Sequence, residues 1–125
     1  ARPTPRAARG LIRTRQGLQL AFEEADGQAR IAVETPGGQR LALSDGPAGI
    51  EITDANGNAV LMAADGVTVT AAGRVAVDAA QVDLTASVLT VNAGMSKFSG
   101  VVQCDTLIAN SVVSASYTPG AGNVY

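Results

Sequence analysis

Between residues 67 and 91 apolar side chains recur in pairs with one residue between them. The pairs are Val67/Val69, Val75/Val77, Val82/Leu84 and Leu89/Val91, starting at intervals of 8, 7 and 7 residues. Apolar residues two apart lie on one face of a strand, whereas a helix needs spacings of three and four. Each unit is therefore a very short strand followed by a corner of small residues, such as Ala71, Ala72 and Gly73 or Ala79 and Ala80. A unit this short cannot bury its own apolar face. It has to stack on further copies of itself.

Composition narrows the choice. Aromatics make up 3% of the 125 residues, there is no Trp, and there are 14 Gly. That supply of bulk is too small for a thick globular core and fits a thin, stacked architecture with a narrow apolar axis. The net charge of −2 argues against nucleic acid as the main partner. Cys104 is the single cysteine, so no disulfide forms within the chain; it reads as a small buried hydrophobe. No apolar run reaches the ~18 residues of a membrane span, and no signal peptide is apparent. The chain begins without Met, which is expected of an excised or processed fragment.

Taken in order, residues 1–10 are rich in Pro and Arg and read as a linker. Seven of the nine basic residues fall within the first forty positions and read as a solvated linker and strand edge. From 11 to 63 short alternating runs recur about every ten residues: Leu18-Leu20-Phe22, Ile31-Val33, Leu41-Leu43, Ile50-Ile52 and Val60-Met62. Between them sit Asp26-Gly27, Gly37-Gly38, Asp45-Gly46 and Asn56-Gly57, dipeptides that favour hairpin turns. The expectation is an antiparallel meander of about five strands. One face is apolar and the other carries Arg30, Glu34, Arg40, Glu51 and Thr53.

At Asp65-Gly66 the spacing shortens and the chain is expected to change from meander to winding. Residues 64–113 are read as a trimeric β-helix and 114–125 as a C-terminal tip. Past Gly94 the apolar spacing loosens, and it does not say whether Gln103 or Asn110 points inward. No charged residue follows Asp105. A charge-free tail of this kind is expected to be buried between chains or covered by a partner.

Spacings of seven and eight fit neither a six-residue left-handed β-helix nor a right-handed coil of about twenty residues per turn. They fit a triangular prism of three intertwined chains, in which each strand is flanked by strands of the other two. The predicted fold is thus all-β, an intertwined homotrimeric triple-stranded β-helix preceded by an antiparallel meander. Val67, Val69, Val75, Val77, Val82, Leu84, Leu89 and Val91 form its expected axis, and folding and trimerisation would be one event.

Residues 94–108 (GMSKFSGVVQCDTLI) and 110–125 (NSVVSASYTPGAGNVY) resemble the C-terminal end of VgrG-like central spikes. These are the phage baseplate assembly protein V-type proteins of contractile injection systems. Residues 12–17 (IRTRQG), 35–38 (TPGG) and 54–58 (DANGN) also resemble that family, in the region following its OB-fold domain.

The resemblance implies a structural, homotrimeric spike driven through a target membrane when a sheath contracts. It would be assembled in the cytoplasm and held at the baseplate of a phage tail-like or secretion particle. It implies a PAAR-like tip protein on the C-terminal end, with Tyr117, Thr118, Pro119 and Tyr125 shaping the docking surface. It also implies baseplate and tube partners reached through upstream domains. Some spikes of this class bind iron through paired histidines at the apex; this chain has no His, so no such site is expected.

Catalytic chemistry finds little material. Lys97 lies between Ser96 and Phe98, with Ser99 next, and reads as a solvated side chain rather than a Ser-Lys pair. Glu23, Glu24 and Asp26 read as turn carboxylates rather than a calcium or acid–base site. Gly37-Gly38 has no following Lys-Ser/Thr and is no phosphate loop. No enzyme activity, cofactor or metal is expected. The rival reading is a trimeric receptor-binding fibre tip or adhesin, which predicts exposed aromatics or charged pockets near the distal end. A spike carrying a cell-wall hydrolase would need a catalytic domain elsewhere.

Overall fold

The computed structural model describes residues 8–24 and 28–118. The chain divides into two units, Ala1–Gln81 and Val82–Tyr125.

The first unit is a single antiparallel sheet. Its strands are β1 (Ala8–Arg13), β2 (Gln19–Glu24), β3 (Arg30–Glu34), β4 (Arg40–Ser44), β5 (Ile50–Thr53), β6 (Ala59–Ala63) and β7 (Gly66–Thr70). They pair in sequence order, each hydrogen-bonded to the next. The expected alternating runs form strands, with Leu18 alone falling just before β2, as β-branched and aliphatic residues do on a pleated surface. Two further strands flank them. β1 takes in residues 8–10, which the composition reads as linker. β7 holds Val67 and Val69, which the spacing reads as the first winding pair; here they face Met62 and Val60 across a ladder with β6.

The turns at one end of the sheet follow one pattern. Thr14, Thr35 and Asp54 each close a turn by accepting the backbone N–H four residues on, from Leu18, Gln39 and Asn58, at 2.9–3.2 Å. The third residue after each cap is a glycine with positive φ: Gly17 at 98°, Gly38 at 98° and Gly57 at 92°. That conformation is the one only glycine enters freely. The residue after the glycine then reaches the next turn. Gln39 Oε1 accepts from Ala55 N at 3.3 Å, and Asn58 Oδ1 accepts from Ala72 N at 2.8 Å. Leu18 has no side-chain acceptor to offer, and the residue in the matching place is Pro36, which has no N–H to satisfy.

At the other end, Gly49 has φ of 67°, and a Cβ there would stand 2.1 Å from the Met62 carbonyl oxygen. The close passage of the β4–β5 connection over β6 depends on that missing side chain. The expected turn at Asp26-Gly27 lies outside the described residues.

No helix occurs among the described residues. From residue 71 to 118 there is neither strand nor hydrogen-bonded turn, only extended chain broken by bends. In the second unit the bends fall at Ser87, Gly94, Gly100, Asp105, Asn110 and Ala115, separated by 7, 6, 5, 5 and 5 residues. The apparent loosening past Gly94 is therefore a shortening of a regular step.

Candidate trimerisation interface

Because cross-strand partners share a face, the strand register sorts the side chains of the sheet. One face carries two unbroken apolar rows. The first runs Phe22, Ile31, Leu43, Ile50, Met62, Val67, and the second Ile12, Leu20, Val33, Leu41, Ile52, Val60, Val69. The Phe22 ring lies over Gly10, where a Cβ would stand 2.0 Å from it. The opposite face has Leu11, Ala21, Ala32, Ala42, Glu51, Leu61 and Thr68 along its centre, with Gln19, Glu34, Arg40 and Thr53 beside that row.

Within one copy the apolar rows of the sheet stay open among the described residues. Leu41 is 39% exposed, Ile52 45% and Val67 66%, and among the described residues only Ala42 is buried. A soluble chain does not hold so continuous an apolar face against water. Each such side chain is worth about 1.5–3 kcal/mol on full burial. A sheet of one layer cannot supply that burial itself, since a domain needs at least two layers around a core.

The opposite face buries Ala42 at its centre and carries the sheet's polar pairs around it. Glu34 and Arg40, directly opposite on β3 and β4, form an ion pair at 3.1 Å. Arg13 Nη2 donates to Gln19 Oε1 at 2.9 Å. Asp54 has the densest polar environment: its Oδ2 accepts from Asn58 Nδ2 at 2.8 Å, and its Oδ1 from the N–H groups of Asn58 and Asn56, both at 2.9 Å. The Asn58 side-chain bond, then those two backbone donors, hold the Asp54 carboxyl below its ordinary pKa.

The second unit repeats the logic without a sheet. Counting from the bends, the second residue is apolar at Leu89, Val102, Leu107 and Val112, is Tyr117 in the last step, and is Ser96 after Gly94. Exposure sorts the five-residue steps into two sides. Val102, Leu107 and Val112 are 60, 71 and 65% exposed, whereas Val101, Ile108 and Val113 are 95, 91 and 95%. The backbone of this stretch, unlike that of the sheet, has no ladder of its own. Such groups need partners when removed from water.

Each expected axis residue can now be located. Val67 and Val69 lie on the apolar face of the sheet; Val75 and Val77 follow it in the first unit, and Val82, Leu84, Leu89 and Val91 belong to the second. All eight are exposed in the single copy. Of the expected tip residues, Tyr117 and Thr118 are exposed, while Pro119 and Tyr125 lie outside the described residues. Cys104, expected to be buried, is exposed in the single copy. No group of three or more His, Cys, Asp or Glu among the described residues is placed to hold a metal ion.

An open apolar sheet face, followed by a stretch with no strand ladder among the described residues, defines a protein of the self-assembling class. The family model of the phage baseplate V C-terminal trimerisation domain matches residues 30–96. The match covers more than half of the chain, and the chain belongs to that family, a structural family of the phage baseplate. No curated protein matches it. The matched residues run from β3 through β7 into the winding stretch, so they include most of both apolar rows.

Proposed function

We propose that the chain is the shaft of a membrane-piercing central spike of a contractile injection system, VgrG-like in kind, with no catalytic role. Three copies bring their apolar rows together and then wind about one another. Val67, Val69, Val75, Val77, Val82, Leu84, Leu89 and Val91 line the axis. The observation that carries this reading is the union of the uncovered apolar face with a stretch that has no backbone ladder of its own. Both needs are met by the same event, association with two further copies. A shaft whose strands belong to three chains resists axial load because pulling one chain away breaks ladders with both others.

Residues 106–125 carry no charge, and a PAAR-like protein seated on Tyr117, Thr118, Pro119 and Tyr125 covers this segment. Baseplate and tube proteins hold the other end, and contact with the target membrane is transient. Light scattering coupled to gel filtration tests the assembly: a trimer of net charge −6, three times the −2 of one chain, is expected. A monodisperse 12.6 kDa species would overturn the reading. Deleting residues 117–125 should leave the trimer and abolish capture of the cap in a pull-down. Undiminished capture would remove the tip assignment alone.

A further inference from the structure

The three capped turns differ at the residue before the glycine, which is Gln16, Gly37 and Asn56 in turn. They also differ in what the glycine N–H does. Gly17 N donates to the Thr14 carbonyl and Gly38 N to the Thr35 carbonyl, both at 3.1 Å. Among the described residues no such bond joins Gly57 N to the Asp54 carbonyl. The Asp54 carboxylate closes that turn instead, through the N–H groups of Asn56 and Asn58. A Cβ added to Gly57 would meet nothing closer than the Ala72 methyl at 3.4 Å, so the backbone there is open to approach. The Asn56 side chain is exposed, and its hydrogen bond to Asp54 is the weakest of the influences on that carboxyl. Asn58 is the opposite case. It is half-buried, its Nδ2 donates to Asp54 Oδ2, its Oδ1 accepts from Ala72 N, and Ala59, the first residue of β6, follows it.

We propose that Asn56-Gly57 is a site of spontaneous covalent modification, at which the folded chain deamidates to aspartate and isoaspartate. Asparagine is among the chemically labile side chains, and glycine shields its own amide least. Hydroxide removes the Gly57 amide proton, and the nitrogen attacks Cγ of Asn56. The N–Cγ bond forms, the Cγ–Nδ2 bond breaks, and Nδ2 takes a proton from water and leaves as ammonia. Water then opens the cyclic imide at either carbonyl. One opening gives aspartate; the other gives isoaspartate, in which the main chain runs through the former side chain. The attack needs rotation about the Cα–C bond of Asn56. At Gly17 and Gly38 the same rotation would first break the bond to a threonine carbonyl. At Gly57 no such bond stands in the way. Either product adds a negative charge close to Asp54. Isoaspartate also lengthens the backbone between Asp54 and Asn58, which pulls Asn58 out of register with both Asp54 and Ala72. The chemistry needs one chain only, so it stands apart from the assembly reading.

Peptide mapping by mass spectrometry reads the reaction on the intact protein held in warm, mildly alkaline buffer. Asn56 is expected to convert, with isoaspartate among the products, while Gln16, Asn58, Asn92 and Asn110 stay largely as amides. The rate should rise with pH, because hydroxide removes the Gly57 proton. Denaturation separates sequence from structure. Asn58 is expected to react at least about tenfold faster once unfolded, since the hydrogen bonds that hold its amide are gone, and Asn56 should gain less than that. If Asn56 stays an amide in the folded protein and converts only after denaturation, the proposal is overturned. Equal rates at Asn56 and Asn110 in the folded protein would overturn it too. Asn56→Gln, which can cyclise only through a larger and slower ring, is expected to keep the fold and abolish the fast conversion. Parent protein aged until it is rich in isoaspartate should melt below fresh protein, and Asn56→Gln aged alike should not. An aged parent that melts with the fresh one despite full conversion would overturn the claimed effect on the turn.

Discussion

The sheet of residues 8–70 and the extended stretch beyond residue 82 are made from similar residues, Val, Leu, Ala and Thr in alternation, yet they satisfy their backbones differently. In the sheet each strand pairs with its neighbour in sequence, and three of the six connections are turns closed by Thr14, Thr35 or Asp54 and a glycine. In the extended stretch no such turn occurs, and the bends come after steps of seven and six and then every five residues. The difference lies in the connections, not in the strands. Where a turn can close, hydrogen bonds stay within the chain and only the apolar face awaits a partner. Where it cannot, both backbone and side chains await one. The sheet thus needs its neighbours for its core, and the winding stretch needs them for its secondary structure as well.

The largest expected effect follows from that contrast. When the assembly is dissociated with mild denaturant, amides between residues 75 and 113 should lose all exchange protection. Those of β3 to β5 should lose it last. Protection persisting in the winding stretch of a monomer would erase the distinction.

Next is Val82→Asp. It places three carboxylates together in an apolar setting, at several kcal/mol for each unpaired buried ion. Trimer should vanish from light scattering at micromolar concentration, whereas an unchanged melting temperature would mean that Val82 does not face the axis.

A defect internal to the sheet should behave differently. Gly49→Ala forces a side chain into a positive-φ position against the Met62 carbonyl and should cost about 2–3 kcal/mol. Thermal melts should show that loss as a lowered midpoint. A midpoint within a degree of the parent would show that the connection can rearrange.

Acid provides a gentler probe of the turns. The folded protein holds the Asp54 carboxyl below its ordinary pKa, so its contribution to stability is complete above that ordinary value, about 4. It is lost as the pH falls through the lowered one. Melts recorded from pH 6 down to 2 should therefore decline less steeply in Asp54→Ala than in the parent, from a lower starting point. Parallel curves would remove Asp54 from the account. The smallest effect is assigned to Glu34→Gln. Its ion pair with Arg40 is partly exposed, and its loss should change stability by less than about 1 kcal/mol in chemical denaturation.

Much of this was legible in the chain itself. The ten-residue recurrence of Leu, Ile and Val pairs, punctuated by Gly37-Gly38, Asp45-Gly46 and Asn56-Gly57, located the inner strands, because alternation and turn chemistry are local properties. β1 was hidden because Ala8, Arg9 and Gly10 have the composition of a linker; it is a strand because β2 offers an edge. β7 was hidden for the opposite reason. Val67 and Val69 have the same spacing as Val75 and Val77, and only the ladder to β6 separates the two pairs. The regular five-residue steps past Gly94 were obscured by Val101, Ile108 and Val113, apolar residues next to Val102, Leu107 and Val112 but on the more exposed side.

The sequence by itself therefore determined that the chain is built from short strands with one apolar face and too little bulk to bury it alone. Those properties reside in neighbouring residues and need no fold to be read. Only the tertiary structure decided where the sheet ends. Asn58 holds Ala72, fourteen residues on, yet no hydrogen-bonded turn follows there, and the sheet stops at β7. The two apolar rows likewise exist only in the register of seven strands, for a slip of one residue would move every side chain to the other face.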